Sequence, residues 1–248
     1  MKIIFCLGLK RSGSTLQYNL VRRVLEGNRC SYVNLGYKSE KEISEIDIKS
    51  HNTDYLLVKC HAYDVQGFDG NEKHTLFIHR DIRDMYVSLR EKWGVSSDAI
   101  PDLVVSCQDA CNYAKSHGVL IQGYEEIYSN QGMALEQIAK FLKLECIYAS
   151  DQDITDSSLL RSVFSKVFLS LKKVARCRKH LPLPISRLEL QIKQFFYSRI
   201  LKLSVDPRSQ IHPDHRSKTG GKPGAWKTEL TDKERLKFAE LLTDLHDE

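Results

Sequence analysis

Residues Cys6–Thr15 read CLGLKRSGST. Gly8 and Gly13 stand at the two glycine positions of the phosphate loop G-x-x-x-x-G-K-[ST], and Thr15 stands at its final hydroxyl position. The lysine that should follow the second glycine is Ser14, while two cations, Lys10 and Arg11, sit inside the loop. On the amino side, residues 2–8 form a continuous apolar run, as in a strand buried on both faces. On the carboxyl side, Leu16, Leu20, Val21, Val24 and Leu25 fall on one helical stripe. A glycine loop between strand and helix presents the backbone N–H groups from Ser12 to Leu16 at a helix N-terminus. That is an anion site even without a lysine.

Working outward, three more short apolar runs read as parallel strands: DYLLVKC (54–60), HTLFIHR (74–80) and HGVLIQGY (117–124). Helical patterns lie at 82–93, 101–116 and 132–143. Strands alternating with helices predict an α/β three-layer sandwich around a central parallel sheet, with a P-loop-like strand–loop–helix at the N-terminus. Ligands of such sheets sit beyond the carboxyl ends of the strands. Residues 59–61, 79–81 and 123–125 all fall at such ends, together with the glycine loop. From about 156 to 203 the chain becomes long, helical and cationic (SKVFLSLKKVARCRKH, SRLELQIKQFFYSRILKL). We read this as a helical insertion within a single domain, 1–248, covering one side of the sheet. Basic amphipathic helices can contact a membrane surface or a partner, although a solvated cationic face over a packed apolar one is commoner. A Pro- and Gly-rich loop (207–227) and a terminal helix (232–245) follow.

Composition narrows the classes. At 42% hydrophobic and 28% charged, the 248 residues match a soluble globular protein, expected to be cytoplasmic. A net charge of +5 favours anionic ligands, but the excess is too small and dispersed to argue for nucleic acid. The seven cysteines are spread singly, as reduced thiols are; Cys107 and Cys111, one helical turn apart, are a weak metal hint. His212, Asp214 and His215 read as a polar loop rather than a metal site. MKIIFCLGL starts like a signal peptide but is broken by Lys10 and Arg11, so it is read as the first strand. No stretch approaches a transmembrane span.

The loop is a poor one for a nucleoside triphosphate. Such enzymes need a lysine on the β/γ-phosphates and a carboxylate for Mg²⁺. Here the lysine is missing, and HTLFIHRD reaches Asp81 only after a histidine and an arginine. HRDIRDMY (79–86) superficially matches the protein-kinase catalytic loop, but its last position is Tyr86, not Asn, and no D-F-G follows. A P-loop kinase or nucleotidase, and a non-catalytic binder of adenosine phosphates, stay as alternatives. A loop gripping one 5′-phosphate beside a cation fits better.

Four segments, in order, resemble the PAPS-dependent sulfotransferases, which move a sulfuryl group from 3′-phosphoadenosine 5′-phosphosulfate (PAPS) to an acceptor. KRSGST resembles the family's 5′-phosphosulfate loop [KR]-S-G-T-T, with Arg11 in the cationic position. VKCH (58–61) resembles its K-x-H segment, and RDIRDMYVS its 3′-phosphate segment R-x-x-x-D-x-x-x-S. GKPGAWKTELT (221–231) resembles the closing loop G-x-x-G-x-W-K-x-x-L-T, and YEEI (124–127) the segment Y-E-D-L whose tyrosine reaches adenine. The spacing supports the third match, because a strand-end Arg80 and Ser88 two turns into the next helix can grip one phosphate.

The resemblance implies Lys10, Arg11, Ser12, Gly13, Ser14 and Thr15 on the 5′-phosphosulfate, Arg80 and Ser88 on the 3′-phosphate, and Tyr124 near adenine. It implies Gly221, Lys222, Gly224 and Trp226 in the closing loop. His61 would be the base, with Arg11 and Lys59 stabilising the leaving oxygen. No metal is required, and the acceptor would be a small molecule, lipid or carbohydrate with a hydroxyl or, less readily, an amine. It should be shaped by 62–72, 93–100 and the helical insertion. Aromatics of that insertion, such as Phe164, Phe168 and Phe195, could line its pocket but are read as core. The sequence departs from the family at Leu16, where a Trp is common, and at Thr219–Gly220, where Arg-Lys is common; Arg216, Lys218 or Lys222 would replace that charge. Arg11 also occurs in branches acting on protein tyrosine or carbohydrate, some of which use a carboxylate as base.

Overall fold

The computed structural model describes residues 1–47, 50–61, 72–148 and 221–243. Contacts divide the chain into two units, Met1–Tyr148 with Pro213–Glu248, and Ala149–His212. All described residues belong to the first. The expected insertion (156–203), acceptor segment 62–71, the His212–His215 cluster and Thr219–Gly220 lie outside them.

Five strands form one sheet: β1 (Lys2–Leu7), β2 (Tyr32–Tyr37), β3 (Tyr55–Cys60), β4 (Glu72–His79) and β5 (Leu120–Gly123). Their order is β2-β3-β1-β4-β5, and every pairing is parallel. Helices, numbered along the described residues, are α1 (Ser14–Gly27), α2 (Glu40–Ser44), α3 (Ile82–Trp93), α4 (Ile100–Ser116), α5 (Tyr124–Ser129), α6 (Gln131–Leu142), α7 (Trp226–Glu229) and α8 (Asp232–Thr243).

The apolar runs explain the layers. Alternate β1 residues enter two different cores, and Ile3 to Leu7 are at most 2% exposed, so these five positions are all apolar. Ile4 and Cys6, with Leu57, Leu76 and Ile78, pack against Tyr18, Val21 and Leu25 of α1 and Leu135, Ile138 and Leu142 of α6. Ile3, Phe5 and Leu7, with Leu56, Val58 and Phe77, face Ile43 of α2 and Ala110 and Ala114 of α4. Removing one such aliphatic side chain costs about 2–5 kcal/mol. A third cluster joins α3 and α4 to the C-terminal segment through Tyr86, Val87, Ile100, Val104, Leu230 and Phe238.

Four of the five strands and the longer helices lie where the apolar periodicity predicts, with ends shifted by a few residues. β4 starts at Glu72, two residues early, where Lys2 pairs with Glu72 at 3.1 Å. β5 begins only at Leu120. The sequence reading missed β2. It is an edge strand, mostly half-buried, with an irregularity between Asn34 and Gly36 and a left-handed Gly36 (φ 67°), so it carries no continuous apolar run.

In this order the chain leaves β1, builds β2 and β3 on one side, then crosses to β4 and β5 on the other. The connections leaving β1 and its neighbour β4 therefore diverge, opening a crevice at the carboxyl ends where Gly8–Gly13 begins.

Candidate functional site

The loop after β1 turns twice through left-handed backbone, at Arg11 (φ 71°) and at Gly13 (φ 100°), before α1 starts at Ser14. Glycine is needed at two places for space. A Cβ on Gly8 would lie 2.5 Å from Ser12 Oγ and 2.8 Å from Ile78 Cγ2. One on Gly13 would lie 2.3 Å from Tyr124 Cδ2, so the bare backbone lets that ring sit against the loop. The first turn of α1 carries no acidic residue and no side chain caps it. Of the expected N–H groups from Ser12 to Leu16, Ser12 N and Leu16 N already donate to Leu9 O (3.1 Å) and Gly13 O (2.8 Å), so those of Ser14 and Thr15 are the ones at the helix start for an anion. Ser12 is 1% exposed, and its hydroxyl has no hydrogen-bond partner. Lys10 stands exposed at the loop's tip, and Ser14 is buried.

β3 brings a cation to this loop. Lys59, 7% exposed, donates from Nζ to Thr15 Oγ1 at 2.6 Å. Burial, reinforced by the charge of Arg11, pushes its pKa down to about 8. Two residues on, His61 Nδ1 lies 2.9 Å from the carbonyl oxygen of Gly8. A carbonyl can only accept, so Nδ1 carries the proton and Nε2 is left as the basic nitrogen. Burial first, with help from the charges of Lys59 and Lys10, pushes His61 down to about 4 against the raising effect of the Gly8 bond. His61 is therefore neutral at pH 7. The ring of Tyr37, at the end of β2, lies 5.2 Å from that of His61.

β4 and α3 bring the candidate groups for the 3′ side. Arg80 donates from Nη1 to Arg11 O (3.3 Å) and from Nη2 to Gly221 O (3.2 Å), lies 4.4 Å over the Tyr124 ring, and keeps a buried Nε without a partner. Arg11 reaches across to α3, its Nε donating to Ser88 Oγ at 2.6 Å. Arg80 and Ser88 thus both contact Arg11, one at its carbonyl oxygen and the other at its guanidinium, whereas their spacing predicts a shared grip on one phosphate. Arg11 itself points toward the α3 side, whereas the resemblance assigns it to the 5′ end of the donor. Burial and the nearby Arg80 charge lower the Arg11 pKa, partly offset by Glu91, so the guanidinium groups repel one another across the crevice.

The closing segment lies on the same rim. Gly221 O accepts from Tyr124 OH at 2.7 Å as well as from Arg80. Lys222 is exposed. Trp226 opens α7 with its ring 3.7 Å beneath the Arg83 guanidinium, and it packs against the cluster holding Tyr86 and Phe238. Leu16, where a Trp is common in the family, packs on the core.

One buried acid has no role in the sequence reading. Asp84, 2% exposed, accepts from Gly224 N (2.7 Å) and Trp226 N (2.9 Å). Its signal was in plain sight, as it is the acid of the segment R-x-x-x-D-x-x-x-S whose ends are Arg80 and Ser88. Asp81, the nearest candidate for a metal-holding carboxylate, caps α3 and grips Arg83 at 2.6–2.9 Å. Cys107 and Cys111 meet no third His, Cys, Asp or Glu among the described residues, and burial raises both pKa values, Cys107 to about 12.

A scan against protein-family models and a search of curated proteins both find no match. Solved structures do match. Mouse sulfotransferase SULT7A1 complexed with PAP aligns at TM-score 0.53 and 14% identity, over 98% of this chain and 83% of that one. The chain has the sulfotransferase fold. Retinol dehydratase with androsterone and the inactive cofactor PAP aligns at TM-score 0.52 and 14% identity, and the same enzyme with retinol and PAP at 0.51 and 11%. Each of these two alignments covers 98% of this chain and 80% of the other. In this chain the carboxyl edge of the sulfotransferase fold carries Lys59, His61, Arg80 and Tyr124 around the glycine loop. Among the described residues no helix is long and apolar enough to cross a membrane.

Proposed function

We propose that this protein is a sulfotransferase that moves a sulfuryl group from PAPS to an acceptor hydroxyl and releases adenosine 3′,5′-bisphosphate (PAP). One observation carries the reading: Lys59 and Arg80 both bond the glycine loop that holds Arg11, and the buried Ser12 Oγ and Arg80 Nε have no partner. Three cations, with Arg11 lowering the Lys59 pKa and itself lowered by Arg80, beside unsatisfied buried donors suit a ligand with two separate phosphate groups. They fit PAPS at its 5′ end through Ser12, Ser14 and Thr15, and at its 3′ end through Arg80 and Ser88.

PAPS, when bound, supplies an activated sulfuryl group with a phosphate leaving group. The chain's residues do the rest by position and charge. Lys59, fixed on Thr15, holds positive charge where the leaving oxygen develops negative charge. His61, neutral and oriented by the Gly8 carbonyl, offers Nε2 to the acceptor's proton. A low His61 pKa makes it a weak base, which matches a loose transition state in which the acceptor proton leaves late. Arg11, bonded to Ser88, neutralises the 3′ side and reaches the sulfuryl side only by turning away from that hydroxyl. The retinol dehydratase structures hold retinol and androsterone, which supports a small-molecule acceptor here. Tyr37, beside His61, stands on the acceptor side.

The test is His61→Ala in assays of acceptor-dependent PAP release. Loss of general-base help should lower transfer about 10²–10⁴-fold while PAP still binds. Undiminished transfer by this variant would remove His61 as the base. Release of ADP from ATP with Mg²⁺, and none of PAP from PAPS, would favour the kinase alternative.

A further inference from the structure

Asp84 lies midway between Arg80 and Ser88, yet a carboxylate there opposes anion binding. Its hydrogen bonds explain its presence. Oδ2 accepts the Gly224 N–H at 2.7 Å and Oδ1 accepts the Trp226 N–H at 2.9 Å, across 140 and 142 residues of sequence. Next to it, Arg83 lies 3.7 Å over the Trp226 ring and is itself held bidentately by Asp81, the cap of α3. The other end of the same segment is held at Gly221 O by Arg80 (3.2 Å) and Tyr124 OH (2.7 Å). A six-residue loop is thus pinned at both ends by α3 and its flanking strand ends. Gly224 contributes a left-handed turn (φ 78°) between the anchors, in a place where a Cβ would touch nothing, so its backbone conformation rather than its size is what the loop uses.

We propose that Asp84 is a positioning residue: it latches loop 221–226 so that Arg80, Gly221 and Lys222 are set for the 3′-phosphate before the donor arrives. The inference rests on the sulfotransferase reading, since it assigns the loop to one end of PAP. A loop already held has less ordering entropy to lose when a ligand binds. The two bonds are charge-assisted, and both oxygens are used, so neither Ala nor Asn can replace the pair: Asn offers one oxygen and turns an N–H₂ toward the other N–H. Because the latch acts at the 3′ end, it should matter for PAP and not for adenosine 5′-monophosphate, which occupies only the 5′ end.

The experiment compares calorimetric titrations of PAP and adenosine 5′-monophosphate into the full chain, unaltered and as Asp84→Ala and Asp84→Asn. Loss of the latch should weaken PAP about tenfold in the Ala variant while changing the monophosphate less than about twofold, with Asn in between. Amide exchange adds a second reading: the Gly224 and Trp226 amides should exchange faster in the Asn variant than in the unaltered protein, without ligand. Should the Ala variant fail to fold, the Asn variant and its exchange rates carry the test. Equal losses for both nucleotides would mean that Asp84 merely supports the fold, and undiminished PAP binding with unchanged exchange would mean there is no latch; either overturns the inference. Failure of the unaltered protein to bind PAP would overturn the donor reading itself, and this inference with it.

Discussion

Lys59 resolves the oddity of the glycine loop. The cation absent after Gly13 comes instead from the neighbouring strand, its Nζ on the loop's last hydroxyl, Thr15. Burial has a consequence in pH. The pKa of Lys59 falls from 10.5 to about 8, so below pH 8 the free site is already charged and affinity for a bisphosphate should be nearly flat. A bound phosphate raises that pKa again. Above pH 8 binding must therefore take up a proton, and affinity should fall by up to about tenfold per pH unit. The phosphates themselves are fully ionised there and add no slope. Calorimetry of PAP from pH 7 to 9.5 checks this, with Lys59→Met expected to bind more weakly and to lose the slope. The shift has the opposite sign for stability: the unfolded chain holds the Lys59 proton more tightly, so this group opposes folding below pH 8 and progressively less as pH rises toward 10.5.

At the scale of elements, α8 is docked onto α3 by one carboxylate. Glu234 accepts from Tyr86 OH (2.6 Å), from Arg90 (2.7 and 2.9 Å), and from the N–H and hydroxyl of Thr231 (2.9 Å each). Burial alone would raise its pKa, but these donors overcome that and hold it down at about 2. Its stabilising contribution is present above pH 4.5 and is lost as pH falls toward 2. Glu234→Gln should cost about 2–3 kcal/mol in denaturant unfolding at pH 7, and the gap should close in acid. An unchanged midpoint at pH 7 would show that the contacts are spread elsewhere. The elements themselves were legible to unequal degrees. β1 from Ile3 to Leu7 and β3 from Tyr55 to Val58 are buried, which forces apolar runs there, and α1 and α6 carry one-sided stripes toward them. β2 left no such trace because only one of its positions, Gly36, is fully buried. The tie between α3 and the C-terminal segment was not legible either, because Asp84 takes backbone N–H groups 140 and 142 residues away, and Glu234 takes Tyr86 and Arg90 148 and 144 residues away.

For the whole molecule, the parallel order β2-β3-β1-β4-β5 gathers the carboxyl ends on one edge. The glycine loop, Lys59, His61, Arg80 and Tyr124 lie at that edge, whereas Ser88 stands within α3 and Cys107 and Cys111 within α4. The edge was readable because strand ends followed by glycine, histidine or arginine are where an α/β sheet places its chemistry. The acceptor was not readable, since its shape depends on side chains from distant segments rather than on any motif. The likeness to sulfotransferase structures extends over 98% of the chain at 11–14% identity, so what is shared is the fold. The most direct test is calorimetric titration of the purified protein with PAP in the absence of Mg²⁺, beside ATP with Mg²⁺. The sulfotransferase reading predicts dissociation constants in the range of about 1–100 μM for PAP, lost on replacing Arg80 or Ser88. Binding of ATP with Mg²⁺ alone, with no uptake of PAP, would contradict it.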